Sequence, residues 1–568
     1  MKSILSILIL TFFTSVMIAQ DFNWAVAAGG NANETSNSIA IDNLGNIYSV
    51  GFFKSAEADF DPSENVYNVS NQGGSDIFIQ KLDAEGNFVW VKTIGDVTNE
   101  TATDIAIDSN NNLYITGFFE ETLDFDPSDG VANLTSESVS SNTFVLKLNS
   151  NGEFVWVKQF AGTTNTGKAI EVDANNNVYT TGSFIQGVDF DPSGATYELI
   201  STGAFDFYIQ KMDSDGNFLW AHSFGSDSIG GSESCESISL DTNNNVLLVG
   251  RFSNTVDFDP SPDNEVELTG SGGTDTFILK LNTNGNFVWA RNIGAGSIAR
   301  GNGITSDHLN NVYVTGHFFE TVDFDPSGGV FNISVNPNDT LGDIFILKLN
   351  SSGNFLWAHG YGGEGRDEGE SLVTDNLGNL YILGDFKFTV DFDPTSNIQE
   401  FSTYNADAFS DVFLQKFDGN GNLNWTRTYG GVNDDSGNSV RFHNGKLFTT
   451  GVFEETVDFD PNDTSNEITS FGFNDTYILS LFENTLSTAS YSETTLHIYP
   501  NPTERFITIE TDTTIEDVQV YSLLGKQCDI SSHYKTVDLI NLSSGTYILK
   551  VTTRQGVITK KIIVYEKS

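Results

Sequence analysis

The residues with the greatest chemical potential in this sequence are acidic, and they recur. The tetrapeptide Asp-Phe-Asp-Pro occurs seven times, with carboxylates at Asp59 and Asp61, Asp124 and Asp126, Asp189 and Asp191, Asp257 and Asp259, Asp323 and Asp325, Asp391 and Asp393, and Asp458 and Asp460. In extended chain both carboxylates of a pair fall on one side of the backbone, roughly 7 Å apart, with the Phe on the other. Joined by loop carbonyls, hard oxygen ligands of this kind suit calcium. Calcium is thus the cofactor the sequence would accept, although none is required. Two carboxylates fall short of the roughly six oxygens that calcium takes, and a specific site is normally needed once. The structural alternative has the Phe plugging between units while the second Asp, held extended by the Pro after it, caps a turn.

A different signal comes from positions that the repeat leaves free. Each unit carries a Gly-x-Phe tripeptide whose middle residue reads Phe52, Phe118, Ser183, Arg251, His317, Asp385 and Val452. Arg251, His317 and Asp385 fall in consecutive units and form a candidate ligand-binding group. No nucleophile with an adjacent base, glycine-rich phosphate loop or histidine cluster accompanies them, so catalysis is not expected. The two cysteines, Cys235 and Cys528, lie in different predicted domains and have no second thiol at metal-ligand spacing. Two basic positions also recur. Lys81, Lys147, Lys211, Lys280, Lys348 and Lys416 stand on one strand, and Lys92, Lys158, His222, Arg291, His359 and Arg427 stand two residues past a tryptophan. Pairing with carboxylates across strands or between units is the expectation for both.

The elements that position these residues follow from the tryptophans. Trp24, Trp90, Trp156, Trp220, Trp289, Trp357 and Trp425 recur at intervals of 64 to 69 residues, which marks one repeated unit. Each interval holds a small-residue strand, a tight turn, a strand ending Gly-x-Phe, the Asp-Phe-Asp-Pro segment, a variable polar stretch, a third strand, a second tight turn and the tryptophan strand. Period-two alternation over short runs predicts four β-strands per unit. Both turns combine Asp or Asn with Gly or Asn, as in Asp42-Asn-Leu-Gly45-Asn and Asp83-Ala-Glu-Gly86-Asn, the chemistry of hairpins that need positive φ. The seventh unit stops after Tyr477 to Phe482 without its tryptophan strand, and that strand stands at the other end of the repeats, around Trp24. Supplying the last unit with the first strand leaves no unpaired edge between them. The prediction is an all-β protein: a closed seven-bladed β-propeller over residues 20–482, its last blade completed by the N-terminal strand.

These units, with Gly-Asn-Ile-Tyr48, Val-Gly51-Phe-Phe, Asp76-Ile-Phe-Ile-Gln-Lys81-Leu-Asp and Gly86-Asn-Phe-Val-Trp90, resemble the bacterial seven-bladed propeller repeats called SBBP repeats. That resemblance implies the fold but no common activity. From Leu496 the style changes to Tyr499-Pro-Asn-Pro502, Val520-Tyr-Ser-Leu-Leu-Gly525-Lys, Val537-Asp-Leu-Ile-Asn-Leu542, Ser544-Gly545-Thr-Tyr547-Ile-Leu-Lys-Val551 and Lys560-Lys-Ile-Ile-Val564. Residues 496–568 read as a small β-sandwich and resemble the type A C-terminal sorting domain of the type IX secretion system. The resemblance implies export through that machinery in a Bacteroidota-type cell, with removal of the domain at the polar linker 483–495.

The N-terminus agrees with export. Lys2, the apolar stretch from Ile4 to Phe13 and Ala19 form a signal peptide over residues 1–19, with Met17 an unusual residue before the cut. No later stretch reaches the roughly 20 apolar residues of a spanning helix, so no transmembrane segment is expected in the mature chain. The formal charge of −49 is concentrated in the repeats: residues 20–491 hold 67 acids against 18 Lys and Arg, whereas 492–568 hold 9 against 8. An acidic body of this kind excludes nucleic acid and anionic lipid as partners of the repeats. The resulting reading is a secreted or cell-surface, non-catalytic binding module for a glycan or a protein. A polysaccharide lyase or hydrolase and a purely structural surface protein are the alternatives.

Overall fold

The computed structural model describes residues 21–483 and 497–565 except 137–140, 228–230, 232, 271–272, 295, 336–340, 406–408, 461–464, 512–514, 523–525, 529, 534 and 554–555. The expected signal peptide, the linker beyond Glu483 and Pro461 of the last tetrapeptide lie outside the described residues. Every regular element among the described residues is a β-strand. The chain divides into two compact units, 1–484 and 485–568.

The second repeat shows how its residues make a sheet. Thr101–Ile107, Leu113–Phe119, Asn142–Leu148 and Phe154–Gln159 form an antiparallel meander in chain order. The first turn is tied by Asp108, whose Oδ1 accepts from the amides of Asn110 and Asn112 at 2.9 and 2.8 Å, while Asn111 takes φ 63°. Leu113, Tyr114 and Ile115 on the second strand are all fully buried, so both faces of the sheet are covered and the run reads as continuously apolar. Between the second and third strands, the segment expected to be only variable and polar contains a further hairpin. There Thr122–Asp124 pairs with Asn133–Thr135, placing the Asp-Phe-Asp-Pro segment at its bend.

Among the described residues the repeats form five four-stranded sheets of this kind, and two more in which the same four-strand meander is extended by hairpin strands to five and six. The seventh combines Ser436–His443, Lys446–Phe453 and Asp475–Phe482 with the N-terminal Asp21–Gly30, which pairs antiparallel with Asp475–Phe482 from Asp21↔Phe482 to Ala28↔Thr476. Each first strand packs against the first strand of the next unit, and Ser436–His443 packs against Glu34–Ile41. Asn438 donates to the carbonyl of Ser36 across that last junction, as Asn37 donates to Ala102 across the first. The apolar core therefore lies between consecutive sheets: Tyr48, Val50, Ile77 and Ile79 of one unit share a cluster with Ile105, Ile115, Phe119 and Phe144 of the next.

Tryptophan and lysine pin most sheets to their successors. The turn glycine Gly216 has φ 76° and lies over Trp156 of the preceding unit, whose indole donates to the Ser214 carbonyl at 3.2 Å. Lys147 donates to that same carbonyl at 2.7 Å from above the Tyr114 ring. Lys81, Lys211, Lys280 and Lys348 repeat this reach to the next unit's turn, and Lys416 meets Glu483 instead. Carboxylates of their own unit, Asp173, Asp241 and Asp307, flank Lys211, Lys280 and Lys348. The partners are thus mainly carbonyls and rings rather than the carboxylates alone that the sequence suggested, because the lysine stem must cross a dry tyrosine face before its head finds an acceptor.

In the second compact unit, His497–Tyr499, Phe506–Glu510, Thr536–Asp538 and Ser531–His533 form one sheet, and Gln527–Cys528, Ile515–Ser522, Gly545–Thr553 and Gly556–Val564 a second. Ile507, Ile509 and Val537 from the first share one core with Val520, Leu549, Val551 and Ile562 from the second.

Two outcomes follow. A chain lacking residues 21–30 exposes the edge of Asp475–Phe482 and loses the Trp24 contact beneath Gly86. Its melting temperature is expected to fall by well over about 5 °C, and unchanged melting would refute the pairing. Second, buried carboxylates meet at several junctions. Burial raises Asp76 to about 6, Asp411 and Asp475 to about 7, Glu100 to about 7 and Asp435 to about 8. At the equivalent positions of the junction between the second and third units stand Asn142 and Asn165, which need no proton. Unfolded carboxyls titrate near roughly 4, so the native state holds extra protons above that pH. This stabilisation is complete below about pH 4 and is lost as pH rises through about 6 to 8. Melting in chelator should therefore be higher at pH 5.5 than at pH 8.5, and Asp411→Asn should flatten the slope.

Candidate functional site

The first strand of every unit carries a β-bulge beside the glycine of Gly-x-Phe. A Cβ placed on Gly51, Gly117, Gly182, Gly250, Gly316, Gly384 or Gly451 would lie 1.8–2.0 Å from a first-strand carbonyl oxygen. Only glycine lets the two backbones approach this closely. The register slips by one residue at each bulge, between Ser36 and Ser38 in the first unit and between Gly437 and Ser439 in the last. The skipped residues Asn37, Thr103, Lys168, Glu236, Asn302, Glu370 and Asn438 all line one central cavity of about 230 Å3. Asp104, Glu171 and Arg441 line it too. Burial raises the Asp104 carboxyl and lifts Glu171 to about 7, with Arg441 opposing both. Ser38 Oγ and the Ile170 amide donate to Asp104 at 2.6 and 2.9 Å.

Adjoining residues form a second polar cavity of about 240 Å3, lined by Lys168, Glu236, Arg251, Arg300, Gly301, Asn302, His317, Arg366, Glu368 and Glu370. Of the candidate ligand-binding residues, Arg251 and His317 are among these. Asp385 is not; it is the register partner of Glu368, which does line the cavity. Burial and Glu368 lift its carboxyl to about 7. The Glu368 carboxylate lies 2.7 Å from His317 Nδ1 and 2.5 Å from Arg366 Nη2, and these contacts hold it down to about 2. Glu370, buried beside Glu368, is held well above the ordinary carboxyl range. Lys168 and Arg251 approach Glu236 at 3.4 and 3.9 Å.

The recurring carboxylate pairs stand elsewhere and are occupied with the backbone. Asp124 Oδ1 accepts from the amides of Asp126 and Ala132 at 3.1 and 2.7 Å, and Asp126 Oδ1 from Ser128 at 3.0 Å. The first Asp makes the same two bonds in the other six units, at Asp59, Asp189, Asp257, Asp323, Asp391 and Asp458. Asp61, Asp191, Asp259, Asp325 and Asp393 accept from the residue two ahead, as Asp126 does. The Phe between them is buried in every unit; Phe125 packs against Phe119 and Phe144 with ring centroids 5.2 and 4.9 Å apart. Among the described residues no three His, Cys, Asp or Glu side chains gather as a metal-holding group. In six units both carboxylates thus accept from loop amides, the turn-capping arrangement that is the alternative to a calcium site.

Sequence reasoning overlooked the bulge residues. Their one signal is a variable polar residue between two small ones, as in Ser36-Asn37-Ser38 or Gly369-Glu370-Ser371. Arg300 and Arg366 carried no repeat signal at all. Cys235 is fully buried, and burial pushes its thiol up to about 12, which removes it as a nucleophile.

Fold and cavity together describe an all-β repeat protein with a polar central site and a separate β tail. The tail gives it an address: residues 497–565 match the secretion system C-terminal sorting domain. The protein is exported by type IX secretion, whose machinery engages this tail, to the cell surface or beyond. No helix among the described residues is long and apolar enough to cross a membrane. The repeats are 24% identical over 485 residues to an uncharacterized WD repeat-containing protein of Acanthamoeba polyphaga mimivirus, covering 71% of this chain and 34% of that protein. They are 25% identical over 211 residues to the regulatory protein FlaEY of Caulobacter vibrioides, covering 34% and 20%. The chain thus spans about a third and a fifth of the length of these curated relatives. Among solved structures, a quinohemoprotein alcohol dehydrogenase of Pseudomonas putida HK5 aligns over 82% of this chain and 76% of its own at 8% identity and a TM-score of 0.37. A gluconolactonase of Xanthomonas campestris aligns over 65% and 90% at 12% identity and a TM-score of 0.27.

Calcium and chelator are expected to give melting temperatures within about 1 °C of each other, whereas saturating a native calcium site would add a few kcal/mol. Asp124→Ala removes the acceptor of two loop amides and should cost about 1–3 kcal/mol in urea unfolding. A calcium-dependent rise in stability that Asp124→Ala abolishes would reinstate the ion.

Proposed function

We propose that the repeats form a closed seven-bladed β-propeller of the SBBP type, exported behind an N-terminal signal peptide, and that it works at the cell surface as a non-catalytic binding module. The pairing of Asp21–Gly30 with Asp475–Phe482 and the packing of Ser436–His443 on Glu34–Ile41 support closure. The ligand, a glycan or a protein-borne group, binds at the mouth of the central cavity, on the side where the second strands end in Gly-x-Phe. One observation carries this reading. The scaffold residues repeat from unit to unit, while the side chain contributed to the cavity is drawn from four types: Asn37, Asn302 and Asn438, Glu236 and Glu370, Thr103, and Lys168. A site assembled from unlike groups on a uniform frame is the pattern of recognition rather than of packing.

Asn302 lines both cavities and its amide donates to the Gly369 carbonyl of the next unit, so Asn302→Trp fills the mouth and removes one junction hydrogen bond. The full chain is expected to retain ligands on glycan and protein arrays, and Asn302→Trp to lose at least tenfold in affinity for them. Capture that is indifferent to this substitution would move the binding surface elsewhere, and a chain that captures nothing would leave a structural role.

A further inference from the structure

We infer that the mouth cavity is a receptor for a hydroxylated monocarboxylate, the chemistry of a uronic acid, with the Arg300 guanidinium as its anchor. This deepens the binding reading above and rests on it.

Of the 18 Lys and Arg in residues 20–491, four, Lys168, Arg251, Arg300 and Arg366, line this one cavity, against three of the 67 acids in the same stretch, Glu236, Glu368 and Glu370. The body of the protein repels anions, and here the ratio inverts.

The carboxylates present do not satisfy all four cations. Glu236 serves Lys168 and Arg251, and Glu368 serves Arg366. Glu370, buried beside Glu368, is held well above the ordinary carboxyl range and forms no salt bridge among the described residues. Arg300 is left over: it has no carboxylate within salt-bridge distance among the described residues, and its buried Nε has no hydrogen-bond partner. Burial and the neighbouring guanidiniums of Arg251 and Arg366 hold it below the usual arginine range, against the opposing field of Glu368 and Glu236.

The geometry narrows the class. A single unengaged guanidinium offers one planar fork, which matches one carboxylate bidentately. A phosphate dianion would call for more free donors than remain. The rest of the lining, Asn302, Glu236 and Glu370, supplies polar groups of the kind that hydroxyl groups pair with. At about 240 Å3 the cavity is smaller than the roughly 300–1,000 Å3 of drug-sized sites, so it accepts a single ring or the end of a chain.

The test is calorimetric titration of the full chain at pH 7 with D-galacturonate, trigalacturonate, D-galactose and acetate. Galacturonate should bind, with affinity falling as salt rises, while galactose and acetate bind at least tenfold more weakly. Arg300→Met should weaken galacturonate at least tenfold with melting unchanged, and Arg300→Lys should recover part of the loss. Tighter binding of trigalacturonate assigns the carboxylate to an acidic polysaccharide, and equal or weaker binding assigns it to a free acid; the inference stands in both cases. It is overturned if galactose or acetate matches galacturonate, if no acid binds, or if Arg300→Met is without effect. An array ligand lost in Asn302→Trp but kept in Arg300→Met would overturn the carboxylate and preserve the mouth as the binding site. Absence of any ligand sensitive to Asn302→Trp would remove the mouth itself.

Discussion

The close approach of two backbones at Gly51 and its six counterparts is the constraint on which the site depends. A first-strand carbonyl occupies the space of a missing side chain, at 1.8–2.0 Å from where a Cβ would stand, and the strand bulges there. Within a regular ladder the next residue would be committed to pairing and to one of the two packed faces. The bulge frees it, and it turns to the central cavity in every unit. Glycine on one strand therefore grants variability on its neighbour. This is why the second strand reads so uniformly while the first admits Asn, Thr, Lys, Glu, Asn, Glu and Asn in turn.

That freedom would mean little if the sheets could shift against one another. They are held by contacts that repeat at nearly every junction: an indole beneath a turn glycine, a lysine crossing a tyrosine face to a turn carbonyl, and an interlayer of aliphatic and aromatic side chains. A cation over an aromatic face contributes about 0.5–2 kcal/mol, and a fully buried Phe about 1.5–3 kcal/mol. The apolar interlayer is thus the larger stabiliser, and the lysines set register and spacing. Six of the 18 cations of the repeats are placed in this way, and four more gather at the cavity mouth. The surplus of acid is mostly elsewhere, in turns where Asp accepts from backbone amides, as Asp108 does, or on exposed hairpins.

Much of the architecture was legible because it is local and repeated. The tryptophan period, the Asp/Asn-Gly turns and the truncated seventh unit led to the four-stranded sheets and to the pairing of residues 21–28 with 476–482. The tail was legible from five motifs in order. The Asp-Phe-Asp-Pro chemistry was only half legible. Asp126 does hold a turn, but the closing of the loop falls to Asp124, which reaches eight residues ahead to Ala132, and a hairpin of three-residue strands surrounds it. Strands so short carry no period that a sequence can display.

By itself the sequence determined what depends on spacing along the chain: strand content, turn type, the number of units, the missing edge strand and the sorting tail. It also marked Arg251 and His317 as free of the repeat. Tertiary structure alone decided which side chains meet. Arg300 and Arg366 come from adjacent units and Lys168 from a more distant one, and their convergence with Arg251 around Glu236 and Glu368 exists only once the inner strands lie side by side. The physical reason is that charge interactions act through space over several ångströms, whereas periodicity records only the direction each side chain takes from its own strand.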